Sequence, residues 1–182
     1  MIQPMQIKDL TTDDITPDML LNFNHRQIIT KQWVKCNNTW ELTETSSIRE
    51  WNKEKRIWIP KYLCQQIERG GAAVAAFDSD TLIGFCCMDG GLAGEGAKYA
   101  NMTMLFVDDN WKRKGVGKKL FSRICMHAAE MKADKLFISA VPSFETIAFY
   151  FSMGCQDTQE LIEEYMDTEY DRYLEYSLPE SI

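Results

Sequence analysis

Apolar and polar positions along this chain follow two different periods, and the change of period divides it. Between Ala72 and Val107 the apolar residues come in runs of strand length: Ala72 to Phe77, Leu82 to Met88 and Tyr99 to Val107. Asp78-Ser79-Asp80 supplies a turn between the first two, and the glycine-rich stretch Gly90 to Gly96 reads as a flexible connection to the third. The period then lengthens to that of a helix. Val116, Leu120, Ile124 and Ala128 fall on one stripe, which Met131 extends. A strand over Leu136 to Val141, a helix over Phe144 to Met153 and closing strands near Glu160 to Tyr165 and Arg172 to Leu178 follow.

The upstream pattern is less regular. Ile2 to Leu10 predicts a first strand, and Asp14-Ile15-Thr16-Pro17 reads as the cap of a helix carrying Met19, Leu20, Phe23 and Ile28. Trp33 to Leu42 alternates irregularly around Asn37-Asn38, as a short hairpin or a loop would. Ser47 to Arg69 predicts a helical region divided by Pro60 and stopped by Gly70-Gly71. Hairpins followed by strand-helix-strand predict an α/β fold whose sheet changes from antiparallel to partly parallel. At 182 residues the chain is expected to be one domain.

Composition changes this picture little. Apolar residues at 45% and charged residues at 26% are near the globular average, and no apolar run approaches a membrane span. Met1-Ile2-Gln3-Pro4 has neither the basic cap nor the apolar stretch of a signal peptide, so a cytoplasmic protein without membrane partners is expected. Cys36, Cys64, Cys86, Cys87, Cys125 and Cys155 form no C-x-x-C pair, and His25 and His127 lack ligand spacing, so no metal is expected. Cys86 and Cys87, adjacent in one strand, should point to opposite faces as reduced core thiols.

Charge points to one place. The net charge is -7, yet Lys112, Arg113, Lys114 and Lys118 crowd a turn between the strand ending Leu105-Phe106-Val107 and the helix that follows. Gly115 and Gly117 remove the Cβ atoms that would block close approach, so backbone N–H groups can point at an anion on the helix N-terminus. A Walker-type loop does not fit, because Lys112 stands where its first glycine belongs and Lys119 where its hydroxyl belongs. The dinucleotide fingerprint fails as well, since Leu120 replaces the third glycine. A solvated basic turn is the plain alternative, and nucleic-acid binding through it conflicts with the acidic whole.

The hexad Lys112-Arg113-Lys114-Gly115-Val116-Gly117 resembles motif A of the GCN5-related N-acetyltransferase superfamily, [QR]-x-x-G-x-[GA]. Lys112 replaces the usual Gln or Arg, Arg113 a common Gly, and Asp109 a frequent Pro. Ser143 to Cys155 resembles motif B, N-x-x-A-x-x-F-Y-x-x-x-G-F, with Ser143 for Asn, Thr146 for Ala and Cys155 for Phe, and with Phe149-Tyr150 and Gly154 in place. The likeness is specific over residues 72–178 and looser before.

The resemblance implies a mixed, mostly antiparallel sheet with a splayed central strand pair and flanking helices. It implies a cofactor-binding core at 72–178 and an acceptor-side region at 1–71. Acetyl-coenzyme A would be the co-substrate. Its pyrophosphate would lie on Lys112, Arg113, Lys114, Gly115, Val116, Gly117 and Lys118, its pantetheine along Leu105, Phe106 and Val107, with Ser143 in the position of the motif B Asn. A main-chain N–H near Val107 would bind the thioester oxygen, and Tyr150 would protonate the departing thiolate. A small-molecule amine would accept the acetyl group; a homodimer is compatible.

No general base is identified. Asp89, Glu95 and Glu145 read as solvated carboxylates, and Asn101 or Thr103 could position a water. Asp157, Glu160, Glu163, Glu164, Asp167, Glu169, Asp171 and Glu175 form either a solvated face or an attractor for a cationic amine. Trp33, Trp40, Trp51 and Trp58 are either pocket walls or core anchors. The competing reading is a coenzyme A-binding sensor without turnover.

Overall fold

The computed structural model describes residues 5–179, so Ile2 to Pro4 of the predicted first strand lie outside it. The elements are β1 (Gln6–Asp9), β2 (Arg26–Cys36), β3 (Thr39–Glu50), α1 (Lys53–Glu68), β4 (Ala72–Asp78), β5 (Thr81–Ala93) and β6 (Tyr99–Val107). They continue with α2 (Val116–Glu130), β7 (Lys135–Ala140), α3 (Phe144–Ser152), β8 (Gln156–Asp157) and β9 (Arg172–Ser177). One seven-stranded sheet runs β1-β4-β5-β6-β7-β9-β8, and β2 with β3 makes a separate hairpin. Among the described residues only β6 and β7 pair in parallel; the other pairings are antiparallel, as the α/β expectation requires.

Strand alternation sends side chains to two helical layers. Cys86 and Met88 of β5 pack with Val116, Leu120, Ile124, Ile147 and Tyr150 from α2 and α3. Phe85 and Cys87 pack with Ile59 and Leu63 of α1 and with Leu20 and Phe23. The adjacent cysteines therefore do face opposite ways, and all the described thiols are free. Val116, Leu120, Ile124 and Ala128 of the predicted α2 stripe are buried, and Met131, the C-cap beyond α2, is partly buried.

Several expected elements differ. Residues 17–28 form no helix: Leu21 N–H bonds to Asp18 and Phe23 N–H to Leu20, tight turns that never propagate, and Ile28 belongs to β2. Ser47 to Glu50 are strand, so α1 begins only after the Asn52 cap, whose side chain accepts from Lys55 N–H at 2.8 Å. Pro60 does not divide α1, which is continuous around it. Gly90 to Ala93 are no flexible linker but the bowed end of β5. Glu160 to Tyr165 are not a strand either; Ile162 and Tyr165, three residues apart, are buried from a single tight turn against Tyr99 and Phe137.

Candidate active site

The sheet opens where β6 leaves β7. Their pairing ends after three partners, Tyr99 with Lys135, Ala100 with Leu136 and Asn101 with Phe137. Beyond Asn101 the two strands diverge, leaving one edge of β6 without a ladder partner up to Val107. Next to this vertex both β5 and β6 are irregular. Cys87 pairs with Met104 but Met88 with Met102, so Thr103 is an extra residue on β6. Met88 pairs with Met102 but Leu92 with Ala100, so the chain from Asp89 to Gly91 bulges from β5. Such bulges re-aim side chains and break the ladder, and they are common beside active sites.

At the far end of β6 the chain enters the basic turn. Gly115, with φ of 83°, is the left-handed N-cap of α2, and a Cβ placed there would meet no atom within 4 Å. Conformation, and not crowding, requires that glycine. Gly117 is different: a Cβ would lie 3.2 Å from the Phe149 ring and 3.6 Å from Val107. It thus brings together the end of β6, the start of α2 and the aromatic pair of α3. Among the described residues, no backbone N–H from Lys112 to Lys118 donates to a protein acceptor, which leaves a run of free donors facing the turn.

The basic side chains divide. Lys112 is tied to Asp109 and donates to the Arg26 carbonyl at 3.2 Å, and Lys114 lies 4.6 Å over the Trp111 ring. Arg113, Lys114 and Lys118 pair with no carboxylate among the described residues. Buried Asp108 staples the turn from behind, accepting from Asn110 N–H at 2.9 Å and Asn24 N–H at 2.7 Å. A diphosphate fits this turn on three counts: free amides, unpaired cations and open space over Gly115.

Tyr150 is buried on the inner face of α3, with its ring beside Phe121 and Phe149. Its hydroxyl has no protein partner among the described residues, and burial pushes its pKa well above the ordinary tyrosine value. It therefore stays protonated at neutral pH. Ser143 is more heavily engaged than expected. Its hydroxyl caps α3 by accepting from Thr146 N–H at 3.1 Å, bonds the Thr146 hydroxyl at 2.8 Å and accepts from Gln27 Nε2 at 3.0 Å.

The β2–β3 hairpin spans the mouth of the opening. At one lip Asp109 N–H bonds to the Asn24 carbonyl at 2.8 Å; at the other Trp33 N–H bonds to Pro142 at 2.7 Å and Gln32 bridges Ser143. Of the four tryptophans upstream of β4, Trp33 and Trp40 sandwich Arg172, Trp51 stacks on His25, and only Trp58 stands out from α1, 45% exposed.

On the α1 side of the vertex lies a polar patch. Asp89 Oδ2 accepts from Asn101 Nδ2 at 2.8 Å, and the Tyr62 hydroxyl stands 3.5 Å from Oδ1. Burial raises the pKa of Asp89 and that of Asp167, and Asp171 and Asp89 raise the latter further. The acidic run sorts accordingly. Asp157 clamps Arg172, Glu175 is buried on Lys135, Glu160 caps the amides of Glu95 and Gly96, and Asp171 accepts from Ser139. Glu163, Glu164, Asp167 and Glu169 pair with no cation among the described residues. A concavity of about 1060 Å³, lined by Ala93 to Ala97, Tyr99, Lys135 and Gln159 to Glu164, opens at the other end of β6 from the cradle and contains neither it nor Tyr150.

Among the described residues no group of His, Cys, Asp and Glu could hold a metal, and no helix is long and apolar enough to cross a membrane. Sequence reasoning missed Asp108, Gln27 and Arg172, which act through partners remote in sequence. Asp89 had a signal, a carboxylate followed by two glycines interrupting an apolar strand.

The family model described as acetyltransferase (GNAT) family matches residues 28–154. Of solved structures, nourseothricin acetyltransferase is 13% identical at a TM-score of 0.70, over 97% of this chain and 100% of that one. A putative streptothricin acetyltransferase from Bacillus anthracis str. Ames, in complex with acetyl coenzyme A, is 16% identical at 0.68 over 97% and 100%. The PaiA N-acetyltransferase of Thermoplasma acidophilum, in complex with coenzyme A, is 14% identical at 0.60 over 96% and 99%. No curated protein matches the chain by sequence.

Proposed function

Since the chain belongs to the acetyltransferase (GNAT) family and is an N-acetyltransferase, we propose that it moves the acetyl group of acetyl-coenzyme A onto a primary amine of a small cationic molecule, with Tyr150 as the acid. The observation that carries this reading is the opened edge of β6 running directly into a turn of free amides. One end suits a pantetheine arm, the other a diphosphate.

The amides from Lys112 to Lys118, with Arg113 and Lys118, would hold the pyrophosphate, and the unladdered main chain of Leu105, Phe106 and Val107 the arm. The thioester supplies an activated acyl carbon and a thiolate leaving group. Tyr150 is suited to give that thiolate a proton, because burial keeps its hydroxyl neutral and nothing else binds it. The acceptor would approach from the α1 side, between Trp58 and Tyr62 and the segment Glu163 to Glu169. Two of the solved neighbours are named as a nourseothricin acetyltransferase and a putative streptothricin acetyltransferase, which supports a small acceptor. The uncompensated carboxylates support a cationic one.

Thiol release from acetyl-coenzyme A across a panel of amines tests the proposal. Tyr150→Phe should lower turnover on the order of 100-fold without weakening coenzyme A binding. Full activity in that variant would overturn the acid assignment. If no amine releases thiol while coenzyme A at about 100 times its Kd adds roughly 2.7 kcal/mol of stability, the chain is a binding module instead. A KM for cationic acceptors that ignores ionic strength would remove the electrostatic argument.

A further inference from the structure

We propose that Asp89 is the base that removes the proton from the acceptor's ammonium group, aimed by the β5 bulge and by Asn101. This rests on the acetyl-transfer reading and supplies what the sequence left open. Three independent features converge on this carboxylate. The first is backbone placement. Gly90 and Gly91 let β5 bow out beside the last β6–β7 pair, and Gly90 lies so tightly on the end of α1 that a Cβ would come within 2.1 Å of the Arg69 carbonyl. Asp89 is therefore held rigidly at the vertex, on the face opposite α2 and α3.

The second is its partners. Asn101, itself 7% exposed, is the last β6 residue paired with β7, and its amide donates to Asp89 at 2.8 Å. That bond fixes Oδ2 and leaves Oδ1 facing only the Tyr62 hydroxyl at 3.5 Å. No Lys, Arg or His forms an ion pair with Asp89 among the described residues, so its second oxygen has capacity for an ammonium or a bridging water. The third is the field. Tyr62 and Arg69 approach from α1, Cys87 from its own strand, Asn101 from β6, and Glu164, Tyr165 and Asp167 from the segment before β9. Burial and Glu164 raise its proton affinity above that of an ordinary aspartate, while Asn101, Tyr62 and Arg69 restrain the rise.

The step balances. An ammonium proton passes to the Asp89 carboxylate, directly or through one water, and the freed nitrogen lone pair forms the N–C bond. The C–S bond breaks, the thiolate takes the Tyr150 proton, and the nitrogen's second proton restores Tyr150. Asp89 returns its proton to solvent, so one ammonium and one thioester give one amide, one thiol and one proton.

The test compares wild type with the near-isosteric Asp89→Asn on acceptor amines whose conjugate acids span pKa values of roughly 7 to 10. The variant should lose on the order of 100-fold in kcat/KM on the most basic amines and far less on those already neutral, and the acid limb of its pH profile should vanish. Asn101→Ser, which keeps the carboxylate but removes its donor, should move that limb to higher pH. Thermal stabilisation by coenzyme A checks that each variant is folded. Equal loss on every amine with the limb retained would make Asp89 structural and overturn the proposal. So would an acid limb unmoved by Asn101→Ser if Asp89→Asn fails to fold. A wild type that binds coenzyme A and acetylates no amine would instead overturn the parent reading, and this one with it.

Discussion

Single residues in the cradle do separable jobs, and two glycines show it. Gly115 is needed for its left-handed φ of 83°, with open space where a Cβ would go, whereas Gly117 is needed because Phe149 is only 3.2 Å from that position. Gly115→Ala should therefore cost about 1–2 kcal/mol, the strain of a left-handed L-residue, and weaken coenzyme A binding because the new methyl would enter the space we propose for the diphosphate. Gly117→Ala should push the Phe149 ring aside and lower turnover by moving α3, with Tyr150 on it, more than it lowers affinity. Urea unfolding, coenzyme A titration and kcat measured on both variants check the contrast. Equal effects on affinity would mean that the two positions do not differ as their surroundings say. Both glycines were legible in the sequence because the constraint is local, a missing side chain in a basic turn. Lys112 and Ser143 were legible as positions but not as roles. The partners that engage them, Asp109 and Arg26 for one and Gln27 and Thr146 for the other, are chosen by the fold.

At the scale of elements, what the sequence revealed tracks burial. The strands from β4 to β6 and the helix α2 are buried on at least one full face, so their periods stand out. The β2–β3 hairpin is exposed on most of both faces, with Ile28 and Ile48 paired across it at 57% and 56% exposure, and its residues carry no clear alternation. Helix-forming residues at its end, Ser47 to Glu50, then merged with α1. An isolated two-stranded hairpin is marginal in water, so something must hold it. Arg172 does. Its guanidinium lies 5.0 Å from Trp33, 4.9 Å from Trp40 and 5.0 Å from Phe151, and binds Asp157 through two bonds of 2.7 and 2.8 Å. Arg172→Met, which fills similar volume without charge, should leave the sheet folded but loosen the hairpin. The expected loss is about 1–3 kcal/mol, since three cation–π contacts go while Asp157 keeps access to water. Hydrogen exchange should speed up across β2 and β3 first, and uniform exchange across the molecule would refute the clamp.

Over the whole molecule, charge and burial set how the fold answers to acid, through two groups at opposite ends of β6. His25 is stacked on Trp51 at 4.2 Å with its Nδ1 buried and unpartnered. Burial, with Lys112, Arg49 and Arg56 nearby, pulls its pKa from 6.5 to about 4. The unfolded chain thus binds a proton there that the folded chain refuses, so His25 makes stability fall as pH drops from 6.5 towards 4. Glu175 acts lower. Burial alone would raise its pKa, but Lys135 at 2.8 Å, Tyr99 at 2.7 Å, Gln156 and the Gln159 amide outweigh it and bring it from 4.5 to about 2. Its folded pKa is depressed, so the stability it contributes is present above 4.5 and lost as pH falls through 2. Acid unfolding should therefore show two limbs. Urea midpoints measured from pH 8 to 3 should lose the upper limb in His25→Phe, which keeps the stack on Trp51, and the lower one in Glu175→Gln. A variant that shifts stability equally at every pH would show that its group is merely packed. Because His25 adjoins the basic turn through Lys112, coenzyme A should flatten the upper limb if its phosphates reach that far: a bound polyanion raises the proton affinity of the folded imidazole only when close, which narrows its gap from the unfolded value, so the pH dependence of ligand stabilisation between 4 and 6.5 measures how near to His25 the phosphates lie.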